Sequence, residues 1–284
     1  MDRRSLAAVR TLGATSVAIA LLACAPALST FQPAHVAPVG HIQAAGGLEV
    51  AIPTGAILDT LDTAKNLSAR AENGEMLSDA QKLEILDAGV NLVVNAPAFG
   101  PHLGIAYTFV DRAEANLRFA GRAFRFGGRY QLVRRDEGPF DMTIGVGVAR
   151  FSYAVPLSDE IPVLRIDDFT RWQIDVPLLI GTSRDFFRVW VGPKLLLTWF
   201  ETQMTLSIPN QDVSVARFDG MVTYLGGQGG LALGYRKVFF AVELTIADSF
   251  GSARTTVSGF TPPSHETRVS SLIIYPSVGL MVEL

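Results

Sequence analysis

Acyl-transfer chemistry needs a hydroxyl beside a base, and His265 with Ser264 or Ser252 is the pairing this chain offers. They lie around Pro262 and Pro263, with no third residue evident to orient the imidazole, so a hydrolase acting on lipid or peptide is the alternative reading. His35, His41, His102 and His265 are the only histidines, and none has a companion ligand at metal-site spacing. Neither a metal nor any other cofactor is expected. There is no Gly-x-Ser-x-Gly elbow. Gly226, Gly227, Gly229, Gly230 and Gly234 superficially suggest a phosphate loop, but they sit mid-strand with no helix to follow. Such glycines permit bending or close packing by a neighbouring side chain. Arg118, Arg122, Arg125 and Arg129 recur at helical spacing, yet Gly121, Gly127 and Gly128 would each cost that helix about 1 kcal/mol relative to Ala. A hairpin is expected there.

These residues belong to a chain of 284, 49% hydrophobic and 18% charged, with a mean hydropathy of +0.29. Soluble domains carry roughly 25% charged residues. The one long apolar run is N-terminal and shorter than the roughly 18 residues of a spanning helix. Strand-period hydrophobicity accounts for the rest. Side chains alternate faces along a strand, and the large apolar ones hold one parity through ten segments. Leu48, Val50 and Ile52 are even, Leu103 to Phe109 odd, Phe124 to Leu132 even, Trp172 to Ile180 even, Val189 to Trp199 odd and Val238 to Ile246 even. The reading is an all-β, antiparallel up-and-down transmembrane barrel of about ten strands over 42–284, with a helical insertion at 54–97.

The opposite parity holds Arg118, Arg125, Arg129, Asp141, Asp175, Arg188, Lys194 and Glu243, a charge network assigned to the lumen. A turn centred between residues 184 and 185 sets Asp175 opposite Lys194. The turn at 121–122 sets Arg118 opposite Arg125 and Phe119 opposite Phe124. Facing arginines need neutralising, by Glu243, Asp141 or Asp175 across a narrow lumen, or by a bound small anion. Pro177, Pro193 and Pro276 fall inside strands, the first two nearly level, as at a shared bulge. Within 54–97, Ser78 to Gln81 reads as a capping box before Leu83, Leu86 and Val90. The insertion caps or enters the barrel mouth; the alternative makes Val90, Leu92 and Val94 the first strand. Trp172, Trp199, Tyr107 and Tyr235 suit interfacial belts, with core packing as the other reading.

Connections alternate in side. Long ones at 54–97, 155–170, 203–219 and 250–268 share one side; only short turns occupy the other. In this asymmetry the chain resembles small outer-membrane β-barrel proteins of the OmpA-like and opacity-like type, which implies an outer-membrane barrel and says little about activity. Residues 1–23 have the parts of a secretory signal: Arg3, Arg4 and Arg10, then an apolar core from Leu12 to Leu22. The ending Leu21-Leu22-Ala23-Cys24 resembles a bacterial lipobox, which implies lipidation (palmitate included) of Cys24, the only cysteine. Ala25 after it implies sorting to the outer membrane. The other reading is a plain signal cleaved near Ala25 or Ala27. Residues 24–41, with Pro26, Pro33 and Pro38, read as an extended tether.

Without residues 1–23 the chain carries 21 basic against 26 acidic residues, which argues against nucleic acid as a partner. The expectation is a lipid-anchored outer-membrane barrel with a structural or surface-interaction role, restricted solute passage standing beside it. Outer-membrane lipid, a small anion and a surface ligand are the expected partners. A soluble periplasmic ligand-binding lipoprotein is the third reading, since parity alone does not say which face is inside.

Overall fold

The computed structural model of the protein describes residues 28–121, 123–152, 161–260 and 264–284. Cys24 and the signal segment lie outside the described residues. Ten antiparallel strands form a closed ring: β1 (Ile42–Thr54), β2 (Ala98–Val110), β3 (Ala113–Ala120), β4 (Ala123–Val133), β5 (Asp141–Ser152), β6 (Leu164–Ser183), β7 (Phe187–Leu206), β8 (Ser214–Tyr235), β9 (Val238–Val257) and β10 (Ser264–Glu283). Each pairs with its sequence neighbours, and β1 closes on β10. At the seam, Ile42 and Leu284 exchange backbone N–H···O bonds of 3.0 and 2.8 Å. Between β1 and β2 lie α1 (Ala56–Glu72) and α2 (Asp79–Val94), so Val90, Leu92 and Val94 are helical. α2 starts at the capping box, Ser78 N–H donating to the Gln81 side chain at 2.9 Å.

The parity reading describes the ring's faces. Leu103, Ile105, Tyr107, Phe126, Val146, Val191 and Phe240 are exposed on the outside, while Arg118, Arg125, Arg129 and Asp175 are buried within. Tyr107, Tyr130 and Tyr235 mark the outer face near the short-turn end; Trp172 and Trp199, paired across β6 and β7, mark it towards the other end. Phe119 and Phe124 are opposite each other, ring centroids 5.0 Å apart.

Three local expectations are corrected. Asp175 faces Leu196, and Lys194 faces Pro177, because the β6–β7 turn closes one residue further along, with Arg184 N–H on Phe187 O. A turn centre moved by one residue shifts the pairing by two, so every side chain keeps its face. Pro177 and Pro193 make no bulge: pairs Pro177–Lys194 and Ile180–Val191 share one register, and the ladder lapses between them for want of a donor. The stretches 203–219 and 250–268 are mostly strand, since β7 runs to Leu206, β8 starts at Ser214, β9 ends at Val257 and β10 starts at Ser264.

These long strands change character along their length. About 9–11 residues suffice for a strand to cross a bilayer, but β6 to β10 have 20 to 22. Beyond the tryptophans the alternation inverts. Glu201, Asp219, Arg254 and Glu266 point outward, while Phe200, Met204, Phe218, Val222 and Val257 are buried inside. The lower barrel has a polar lumen; the upper wall encloses an apolar core.

α2 fills that core. From Ile85 to Val94 every residue but Asp87 is buried, as for a helix surrounded by protein. Arg171, fully buried between the rings of Phe151 and Phe169, donates to Val93 O at 3.1 Å and Val94 O at 2.8 Å. A cation on the last carbonyls suits the negative end of the helix dipole. Tyr224 Oη also donates to Val94 O, at 3.2 Å. Asp87 accepts from Thr267 Oγ1 at 2.6 Å, tying α2 to β10; partial burial raises its carboxyl above the usual value.

Candidate functional site: the filled lumen

The charged side chains of the lower lumen come from strands all round the ring. Arg125 on β4 makes a two-point contact with Asp175 on β6, Nε to Oδ1 at 2.7 Å and Nη2 to Oδ2 at 2.8 Å. Arg118 on β3 pairs with Glu49 on β1, whose other oxygen accepts from Tyr275 Oη at 2.7 Å. Arg129 pairs with Glu114 at 2.7 Å, and Arg188 with Glu283 at 2.7 Å. Four arginines thus meet four carboxylates.

Arg118 and Arg125 do face each other. Glu49 and Asp175 neutralise them, while Asp141 accepts from the Gln131 side chain at 2.9 Å and from the Arg135 backbone N–H at 3.1 Å. The flat guanidiniums need slots. A Cβ on Gly147 would lie 2.2 Å from Arg125 Nη2, so glycine alone leaves room there. The glycine run of β8 works likewise: a Cβ on Gly230 would lie 2.1 Å from the Trp190 ring. That packing aims Trp190 Nε1 at Glu243 Oε2, 2.9 Å away.

Lys194 and Glu243 form no ion pair with the wall among the described residues. Apart from Trp190 on Glu243, their direct partner is the N-terminal segment. Residues 28–37, part of the 24–41 segment read as an extended tether, run up inside the barrel from the short-turn end, where Pro38 to Gly40 are exposed. Leu28, Phe31 and Ala34 are 1% exposed. Lys194 Nζ donates to Leu28 O. Glu243 accepts from Ser29 Oγ at 2.6 Å and from the backbone N–H of Thr30 and Phe31 at 3.1 Å each. Arg118 donates to Ser29 O at 2.6 Å, Arg129 donates to Pro33 O, and Val36 N–H donates to Gln131 at 3.1 Å. The Phe31 ring lies against His102, centroids 4.7 Å apart. Small side chains and prolines make this strip narrow enough for the lumen, and its main chain satisfies the two charges the wall leaves over.

The segment from below and α2 from above meet, for Leu28, Val94, Leu196 and Tyr224 share one buried cluster. A cavity of about 20 Å³ remains beside Phe31, His102, Arg118 and Arg125, enough for a single water. A vestibule of about 570 Å³ opens at the short-turn mouth, lined by His35, Gln131, Arg135 and Asp141 among others.

His265 finds an orienting group that its sequence neighbourhood concealed: Nε2 lies 3.3 Å from Asp87 Oδ2. Among the described residues no serine hydroxyl is hydrogen-bonded to that ring. Glu49, Glu114 and Arg171 were absent from the network expected from sequence. All three follow the polar parity of their strands, which was the available signal.

No protein-family model matches the chain, and no curated protein matches it. Among solved structures it is similar to the outer membrane protein OprG from Pseudomonas aeruginosa, at 10% identity and a TM-score of 0.37, covering 89% of this chain and 99% of that one. It is similar to Ail, the attachment invasion locus protein of Yersinia pestis, at 10% identity and 0.29, covering 87% and 99%. For a major outer membrane protein from Thermus thermophilus the values are 7%, 0.36, 86% and 99%.

Leaving one partner of a buried ion pair alone costs about 3–5 kcal/mol, whereas an apolar replacement of both can be neutral. Arg125→Met should therefore lower the unfolding midpoint in urea markedly, and adding Asp175→Met should recover most of the loss.

Proposed function

We propose that this chain is a bacterial outer-membrane β-barrel with a non-catalytic role at the cell surface, its lumen closed in the folded resting form. The observation that carries the reading is the ring's inside-out character. An apolar outer band with tyrosines near one rim and tryptophans towards the other surrounds a charged interior, the reverse of a water-soluble carrier barrel. The taller walls of β6 to β10 rise beyond that band on the long-loop side and present Glu201, Arg217, Asp219, Arg254 and Glu266 to solvent. A surface-interaction role suits this polar collar better than solute passage suits a lumen filled from both ends.

We infer that Cys24 carries the lipid anchor that the ending Leu21-Leu22-Ala23-Cys24 implies, with plain signal cleavage near Ala25 or Ala27 as the alternative. The intact mass of protein from outer membranes tests this: a diacylglyceryl-modified Cys24 is expected, and an unacylated chain starting near Pro26 or Leu28 would refute the anchor.

Planar-bilayer recording tests the closed lumen. Folded protein, checked by its mobility shift on boiling in SDS gels, should insert without conductance steps. Regular, stable channels from such protein would overturn the closed reading.

A further inference from the structure

We propose that the lower lumen is a binding site for an uncharged peptide whose main chain kinks at Phe31, and that residues 28–37 are its occupant in cis. The inference does not depend on the membrane in which the barrel resides. Three observations carry it.

The segment belongs to the lumen but not to the sheet. The ring is closed by β1 and β10 from Ile42 onward, and residues 28–37 pair with no strand; contact with the sheet begins at Gly40, whose N–H donates to Thr108 O of β2. The contacts are those of a ligand in a site.

Recognition runs chiefly through groups that every peptide carries. Lys194, Arg118 and Arg129 donate to main-chain carbonyls of Leu28, Ser29 and Pro33; Glu243 and Gln131 accept main-chain N–H groups of Thr30, Phe31 and Val36. Among the described residues neither Lys194 nor Glu243 makes a close ion pair; Trp190 donates to Glu243, the Asp175 and Glu243 carboxylates act on Lys194 from a distance, and the peptide main chain supplies the remaining direct contacts.

The charge of the occupant is matched to the site. No Asp, Glu, Lys or Arg occurs between residues 28 and 40. The one titratable side chain, His35, meets Glu283 at 3.1 Å near the mouth; deeper in, the wall arginines already hold a carboxylate each, and a further side-chain charge beside them would go unpaired. Preference among uncharged peptides then falls to the pocket where Phe31 meets His102. Leu28, buried in the apolar cluster beneath α2, makes a second anchor.

The test keeps the full chain for folding. A protease site is placed in the turn at Val39 and Gly40, where Val39 is 54% exposed, and is cut only after the barrel has formed. The nicked barrel is passed through mild urea to release the fragment, returned to detergent buffer, and titrated with a fluorescent synthetic peptide of residues 28–37, acetylated at its N-terminus and amidated at its C-terminus. The expected result is saturable binding, competed by unlabelled peptide and absent from the uncut protein. A peptide with Phe31→Ala should bind at least about 10-fold more weakly, as should a Glu243→Gln barrel. Should that variant fail to fold, the peptide change alone carries the comparison. Equal binding of peptides carrying Phe31→Glu or Phe31→Lys overturns the proposal. So does failure of the native sequence to re-enter a barrel that still shows its mobility shift on boiling.

Discussion

Strand alternation allows no neutral choice in a small barrel: if one face is apolar and turned outward, everything else must be accommodated inside. Here that includes Arg118, Arg125, Arg129, Arg188, Glu49, Glu114, Asp175 and Glu283, all in a space nearly closed to water. Desolvating such groups costs several kcal/mol per ion unless geometry and hydrogen bonding are good. Their pairing is therefore the condition on which the ring depends. Glycines such as Gly147 let the guanidiniums lie flat enough to meet it.

The same condition explains the N-terminal segment. Four arginine–carboxylate pairs leave Lys194 and Glu243 over, and the main chain of residues 28–31 answers both. Higher up the problem disappears, because the alternation inverts and the strands enclose apolar side chains around α2. The barrel is thus two environments stacked in one ring: a polar sleeve closed by a peptide, and an apolar cup closed by a helix whose last carbonyls rest on Arg171.

Ring, strand count, helical insertion and facing arginines were legible in the sequence because each rests on local periodicity or on one tight turn. Parity identified which residues share a face, Trp172 with Phe126 on one and Asp175 with Arg125 on the other, without saying which face is inside. It was silent about partners: Glu49 reaches Arg118 only because closure brings β1 beside β2 and β2 beside β3. The upper walls were missed because an inverted pattern of outward Asp219 and Arg254 reads as loop polarity unless the inward Phe218 and Val257 are weighed with it. The lumen segment was missed for a different reason. A Pro- and Ala-rich strip without periodicity looks like a linker, and only the unanswered charges of the wall show why it belongs inside.

Whether residues 28–37 occupy the lumen decides the account most directly. Phe31 replaced by p-benzoylphenylalanine and irradiated in the folded, full-length protein reports its neighbours by mass spectrometry. The account predicts intramolecular adducts on the inner wall around His102 and Gln43. Adducts confined to other molecules, or to the outer face of the barrel, would contradict it.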